Sequence, residues 1–238
     1  FISLEQEKPN FNETDYAIGS YKINGAGDRY MRKPWMSKLL SNVDNIFNII
    51  EGNVNKSIIK SSNKTKFCAF LVSNGGCQTR NNFFHQLSKY KQVDSGGKFL
   101  NNIGYRVSNK TEFLAKYKFT ICFENSKVYG YGTEKLFDTF IAGTIPIYWG
   151  DDSMLEIYNN KSYIHIRNED EFEEKIKYII QIDNNDTLYN EIIHQNIYND
   201  KEGYKKLNKT YHKFIMNIVD QDFDFARRRE NPINYTIA

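Results

Sequence analysis

YKFTICFENSKVYGYGTEKLFDTFIAGTIPIYWG, residues 117–150, reads as strand, polar loop, helix, short turn and strand. FTICF and IPIYW are apolar, β-branched and aromatic runs of strand length. TEKLFDTFIAG between them carries apolar residues at helical spacing, with Thr133 placed to cap its start and Gly143 to end it. Such a unit packs with its two strands parallel. It leaves the polar loop and the unpaired N–H groups of the helix at the mouth between them, with Thr133, Glu134 and Lys135 in the first turn. Backbone donors and the positive end of a helix dipole suit a phosphorylated ligand there.

The same alternation extends in both directions. KFCAFLVS from residue 66 is a buried strand. A helix over about 80–90 puts Phe83, Phe84 and Leu87 on one face, and QVDSGGKFLNN is a strand followed by a Gly-rich loop. A short helix over 110–117 precedes FTICFEN. Downstream come a short helix near 153–158, the strand YIHI, the amphipathic helix EDEFEEKIKYIIQI, and helices over roughly 186–195 and 204–219. Strands alternating with helices predict an α/β fold, a doubly wound parallel sheet over 66–182 that binds ligands at the carboxyl ends of its strands. Upstream, a helix is expected over 34–40 with Pro34 in its first turn, and the Asn-, Ser- and Lys-rich stretch 51–65 reads as a linker. The expected division is therefore 1–60 and 61–238.

Composition narrows the function. A net charge of +3 gives a nucleic-acid role no support. No apolar run reaches membrane-spanning length, and FISLEQEKPNF is too polar for a signal peptide. Cys68, Cys77 and Cys122 are odd in number and lie in or beside strand-like segments, which predicts reduced thiols in a cytoplasmic protein. Neither a CxxC nor a Cys/His spacing for a metal is present. The chain opens on Phe1, and a piece of a longer protein is the expectation.

Several residues point to anion chemistry. Arg80 lies just past the first sheet strand at a helix start, where a guanidinium can fork onto phosphate oxygens. Left on the surface, it would oppose the helix dipole. Lys135 is a second cation in a first helical turn. Glu134 is a favourable acid at a helix start, a placement that stabilises by about 0.3–1 kcal/mol. Asn125 and Tyr131 flank the polar loop and can reach a ligand, although an Asn satisfying loop backbone is an equal reading. Gly96 and Gly97 permit close backbone approach to a nucleotide, and a plain turn would use them equally. Asp222-Phe223-Asp224 spells a DxD, but it follows the last long helix, away from the sheet loops. Asp151-Asp152 is explained by a helix N-cap. His85, His165, His194 and His212 are scattered and read as structural.

FENS…YGYGTEKLFDTFIAGTIPIYWG resembles the donor-binding motif of the alpha-(1,3/4)-fucosyltransferases, glycosyltransferase family 10. KFCAFLVSN, RNNFFHQLSKY, SGG…NNIGY, EQEKPNFNETDYAIG and GDRYMRKP are similar to its bacterial, lipopolysaccharide-modifying branch, so the likeness covers nearly the whole chain in one order. The resemblance implies a GT-B fold: a C-terminal Rossmann-like domain holding GDP-fucose, preceded by the tail end of an N-terminal acceptor domain. It implies inverting transfer of L-fucose from GDP-fucose to the 3-hydroxyl of an N-acetylglucosamine in N-acetyllactosamine-type glycans, as in Lewis antigens. It assigns Arg80 and Lys135 to the diphosphate, Glu134 to the ribose hydroxyls, and Asn125 and Tyr131 to fucose or phosphate. Glu5, just before the PNF segment, becomes the catalytic base, with Glu7 a nearby competitor. The family carries Gly before that acid, where this chain has Leu4. No metal is required, and added divalent cation would assist product release. The branch implies peripheral contact with the inner face of a bacterial membrane, for which the basic run 227–229 is a weak substitute for a membrane-binding tail. A truncated nucleotide-binding module without catalysis, and a GT-B transferase using another sugar nucleotide, are the alternatives.

Overall fold

The computed structural model describes residues 2, 7–32, 64–200, 203–231 and 233–237. Glu5, the helix expected over 34–40, nearly all of the 51–65 linker and the boundary at 60–61 lie outside these. The N-terminal segment carries β1 (Ala17–Gly19), β2 (Ile23–Asn24) and β3 (Tyr30–Arg32). The sheet domain follows as β4 (Lys66–Phe70), α1 (Gln78–Leu87), β5 (Val93–Ser95), α2 (Lys110–Leu114), β6 (Tyr117–Ile121), α3 (Glu134–Ile141), β7 (Ile145–Tyr148), β8 (Ile164–His165), α4 (Phe172–Asp183) and α5 (Asp186–Ile193). The chain ends with α6 (Gly203–Val219), α7 (Phe223–Ala226) and β9 (Thr236–Ile237).

Five strands form one wholly parallel sheet in the order β5-β4-β6-β7-β8, with Cys68 opposite Phe119, Phe119 opposite Ile145 and Ile147 opposite Ile164. Every residue of β7 is buried, as a strand covered on both faces must be. Phe70, Phe119, Ile145 and Ile147 pack on Phe83 and Leu87 of α1 and on Ile179 and Ile182 of α4. Tyr148 turns to the opposite face, against Leu136, Phe137 and Phe140 of α3. The doubly wound sheet expected over 66–182 is thus present, with helices on both sides.

Two of the helix ends that differ from expectation have a clear local reason. The helix expected over 110–117 stops at Leu114, because Tyr117 already belongs to β6. It pairs with Lys66, and its hydroxyl donates to Asp94 Oδ2 at 2.7 Å. α1 ends at Leu87 rather than 90, and Tyr90 instead donates to Asp183 Oδ2 at 2.9 Å. Gly143 does end α3. Its φ of 64° is the left-handed conformation, and its N–H reaches Phe140 O at 2.9 Å.

The C-terminal residues return to the N-terminal segment. β9 pairs antiparallel with β2, and Tyr235 OH donates to Pro9 O at 2.7 Å. Buried Arg29 ties the two chain ends together, donating to Asp15 O (2.8 Å), Phe11 O (2.9 Å), Thr14 O (2.8 Å) and Asn231 O (2.6 Å). The basic run 227–229 is not an unpaired patch. Arg227 pairs with Glu230, Arg228 with Asp28 and Arg229 with Asp15, each at 2.8 Å. Among the described residues no helix is long and apolar enough to cross a membrane.

These pairs fix the acid response of the clasp. Burial raises the Asp15 carboxyl, but Arg229 and Arg228 outweigh it. Arg228 likewise holds Asp28 below its ordinary value, so both sit under 3.8. A depressed folded pKa gives stability that is complete above the unfolded value and is lost as pH falls through the folded one. Amide exchange in β2 and β9, corrected for intrinsic rate, should therefore be flat from neutral pH to just above 3.8 and rise below it. Loosening at higher pH would contradict the pairing.

Candidate functional site

In this strand order the chain winds away from β4 on one side, to β5, and builds β6 on the other. The crevice for a ligand therefore opens between the carboxyl ends of β4 and β6. The loop after β4 (71–77) and the loop after β6 (122–133) form its walls. Arg80, in the first turn of α1, joins them. Its Nη2 donates to Asn74 O at 2.6 Å, and its Nη1 donates to Asn125 Oδ1 at 2.8 Å and to Phe123 O at 3.4 Å. Arg80 is 1 % exposed, so it is neither a surface arginine nor a freely swinging one. Its Nε is buried without a partner among the described residues, which leaves donor capacity unspent.

Asn125 is exposed rather than buried, and the group it satisfies is the Arg80 guanidinium, not loop backbone. Tyr131 is buried, its ring centroid 6.0 Å from that of Tyr21. Between the N-terminal segment and these loops lies a cleft of about 450 Å³, whose lining includes Glu7, Asn74, Gly76, Asn125, Ser126 and Tyr131. Glu7, the competitor to Glu5, is therefore on the cleft wall.

Thr133 holds the N-cap position of α3 without capping it, because its side chain is used elsewhere. It donates to Glu124, with Oγ1 2.7 Å from Oε2, and its amide donates to Glu124 Oε1 at 2.9 Å. Lys135 Nζ donates to Glu124 Oε2 and to Thr133 Oγ1, both at 2.9 Å. Burial pulls the Lys135 ammonium down, and the carboxylates of Glu124 and Glu134 outweigh it, so its pKa is raised and it stays charged. For Glu134 burial pushes the carboxyl up, and Lys135 and Lys110 outweigh it, so it stays ionised. A carboxylate and an ammonium are thus presented together at the start of α3.

Packing within the chain already requires glycine at positions 96 and 97. A Cβ on Gly96 would lie 2.4 Å from Val107 Cγ2, and one on Gly97 would lie 2.0 Å from Val72 O. The close approach that demands glycine is to the protein itself. The Asp222-Phe223-Asp224 motif sits at α7, in the segment that returns to the N-terminal residues. Among the described residues no group of three His, Cys, Asp or Glu side chains is arranged to hold a metal.

Of the two residues that do most to build the site, Glu124 does not stand out in the sequence and Asp151 reads there only as a cap. Glu124 ends the apolar FTICF run, and a carboxylate in that position is the signal that could have found it. Asp151 caps the 3-10 turn Asp152–Glu156 as expected, accepting from Ser153 N at 2.9 Å. It also accepts from Gly130 N at 2.8 Å and from Arg32 Nη2 at 3.3 Å, so it clamps the polar loop to the N-terminal segment.

The family model described as "Glycosyltransferase family 10 (fucosyltransferase) C-term" matches residues 61–215. The alpha-(1,3)-fucosyltransferase FucT of Helicobacter pylori is 32% identical over 98% of this chain and 56% of its own length. A bovine 4-galactosyl-N-acetylglucosaminide 3-alpha-L-fucosyltransferase 9 is 31% identical over 58% of this chain and 39% of its own. The chain thus spans about half the length of the Helicobacter relative. A solved alpha1,3-fucosyltransferase with GDP superposes at a TM-score of 0.77 with 31% identity, covering 98% of this chain and 76% of that one. Another, with GDP-fucose, gives 0.69 and 30%, covering 94% and 75%. The sheet and its crevice are therefore those of a GT-B fold, and the chain belongs to glycosyltransferase family 10, the fucosyltransferases.

Proposed function

We propose that this chain carries the donor site of an inverting alpha-(1,3)-fucosyltransferase that moves L-fucose from GDP-fucose to the 3-hydroxyl of N-acetylglucosamine in N-acetyllactosamine-type glycans. The observation that supports it most is the Lys135 ammonium. Two of its three donors are taken by Glu124 and Thr133, and the third remains for an anion beside the first turn of α3. The GDP and GDP-fucose named for the solved relatives agree with that charge.

In this reading the acceptor oxygen attacks the anomeric carbon of fucose from the face opposite the diphosphate. The bond from that carbon to the β-phosphate oxygen breaks, and its electron pair leaves on GDP. Lys135, the unspent Arg80 donors and the α3 amides stabilise the charge that develops there. Glu134 accepts from the ribose hydroxyls, and Asn125 and Tyr131 meet fucose or phosphate. The acceptor's proton passes to the Glu5 carboxylate, which serves as general base. No step is routed through a metal, and added divalent cation would act on GDP release.

Calorimetry with GDP and UDP on this chain tests the donor assignment. GDP is expected to bind at least about tenfold more tightly, a difference of roughly 1.4 kcal/mol. Equal affinity, or none for GDP, would overturn it.

A further inference from the structure

Glu124 is a fully buried carboxylate beside Lys135, and the proposed transfer gives it no part. Its exposure is 0 %, yet it is not isolated. It accepts from the Thr133 amide, from Thr133 Oγ1 and from Lys135 Nζ, all at 2.7–2.9 Å. A buried carboxylate is costly unless every lone pair is used, and this one is satisfied entirely from the junction where loop becomes helix. The chain makes room for it at some cost. Gly150 has a φ of 159°, and a Cβ there would lie 2.6 Å from Glu124 Cγ. Thr133 gives up capping its own helix to donate to this carboxylate.

We propose that Glu124 is a positioning residue for the donor diphosphate: it anchors Lys135 and the first turn of α3 so that one ammonium hydrogen and the positive end of the helix face the same phosphate. The inference rests on the donor-site reading above. A carboxylate also repels a diphosphate. Glu124 is fully buried, while Lys135 retains 22 % side-chain exposure, so the ammonium stands between the carboxylate and solvent. The pair meets the ligand as a fixed donor with its own negative partner behind it. Without that partner a long flexible side chain loses its orientation, and the unpaired buried ammonium is pushed toward neutrality. Loss of placement therefore outweighs relief of repulsion.

The test is a double-mutant cycle on the 238-residue chain, read by calorimetry with GDP. Glu124→Gln keeps the size and can still accept from the Thr133 amide, but removes the charge. It is expected to weaken GDP binding about tenfold in the parent chain but to leave it unchanged or tighten it in Lys135→Met, where no ammonium is left to place and the carboxylate only repels. Equal losses in both backgrounds would make Glu124 merely structural and overturn the proposal. Tighter GDP binding by Glu124→Gln in the parent chain would overturn it too. Should Glu124→Gln fail to fold by circular dichroism, Glu124→Asp carries the same cycle, since it retains charge but withdraws the oxygens by one methylene. If the parent chain binds no GDP, both the donor-site reading and this inference fail. If it binds GDP and the losses are additive, this inference alone does.

Discussion

Lys135→Ala is expected to weaken GDP binding by about 100-fold, or roughly 2.7 kcal/mol. The size follows from what is removed. A charge-assisted hydrogen bond to a phosphate contributes about 1.5–3 kcal/mol. The substitution also leaves the buried Glu124 carboxylate without its cation, at the edge of an anion site. Glu124 then accepts only from Thr133, and its negative charge opposes the diphosphate unscreened. The loss should shrink for guanosine, which has no phosphate to miss the ammonium. Calorimetry with GDP and guanosine reads both, and a thermal melt of the variant separates loss of binding from loss of fold. A GDP affinity within about twofold of the parent, with the fold intact, would remove Lys135 from the donor site. Glu5→Gln is its complement. As the proposed base it should leave GDP affinity unchanged and abolish transfer in the full-length enzyme. Glu7→Gln distinguishes the neighbouring carboxylate on the cleft wall. Were Glu7→Gln the variant that stopped turnover, the base would move two residues along the chain.

Some parts of the molecule are encoded in short stretches of sequence and others only in the folded chain. The β6–loop–α3–β7 unit was legible because its signals are local: strand-length apolar runs, an apolar helix face, and Gly143 in a conformation other residues resist. The places of Arg80 and Lys135 in the first turns of α1 and α3 were legible for the same reason. Their environments were not. Whether Arg80 is buried depends on Asn74, Phe123 and Asn125, brought to it by a parallel pairing that no short window encodes. Asn125 reads as a loop residue in sequence and becomes the partner of a guanidinium only when two loops meet. Asp151 looks like an ordinary cap until Arg32 arrives from the N-terminal segment. The clasp of Asp15 and Asp28 with Arg229 and Arg228 joins residues at opposite ends of the chain, where composition shows only scattered charges. Gly96 and Gly97 were legible as a place of close approach, and only packing tells what approaches.

Gly97→Ala should be the most damaging single methyl group in the sheet domain. Its Cβ would lie 2.0 Å from Val72 O and 2.6 Å from both Val72 C and Val72 N. These are backbone atoms, so no rotamer change relieves the contact. The Val72 carbonyl is held in place as well, accepting from Phe99 N at 3.0 Å. One opposing effect is real: alanine lowers the entropy of the unfolded chain, which stabilises by about 0.4–1 kcal/mol where the native backbone tolerates it. Forced overpacking costs about 1–3 kcal/mol and more when nothing can give. The clash therefore wins, with a net loss of roughly 3 kcal/mol and a fall in melting temperature of about 6–12 °C for a chain of this size. Gly104→Ala is the control. It has a left-handed φ of 80° but nothing within 4 Å of a Cβ, so it should cost only about 1–2 kcal/mol of backbone strain. The injury at Gly97 should also reach the ligand. Val72 lies in the same loop as Asn74, whose carbonyl receives Arg80 Nη2, so a displaced loop releases one side of the guanidinium. GDP affinity should fall in Gly97→Ala and hold in Gly104→Ala. A Gly97→Ala chain that melted within about 2 °C of its parent would mean the β4 and β5 loops are not packed as described.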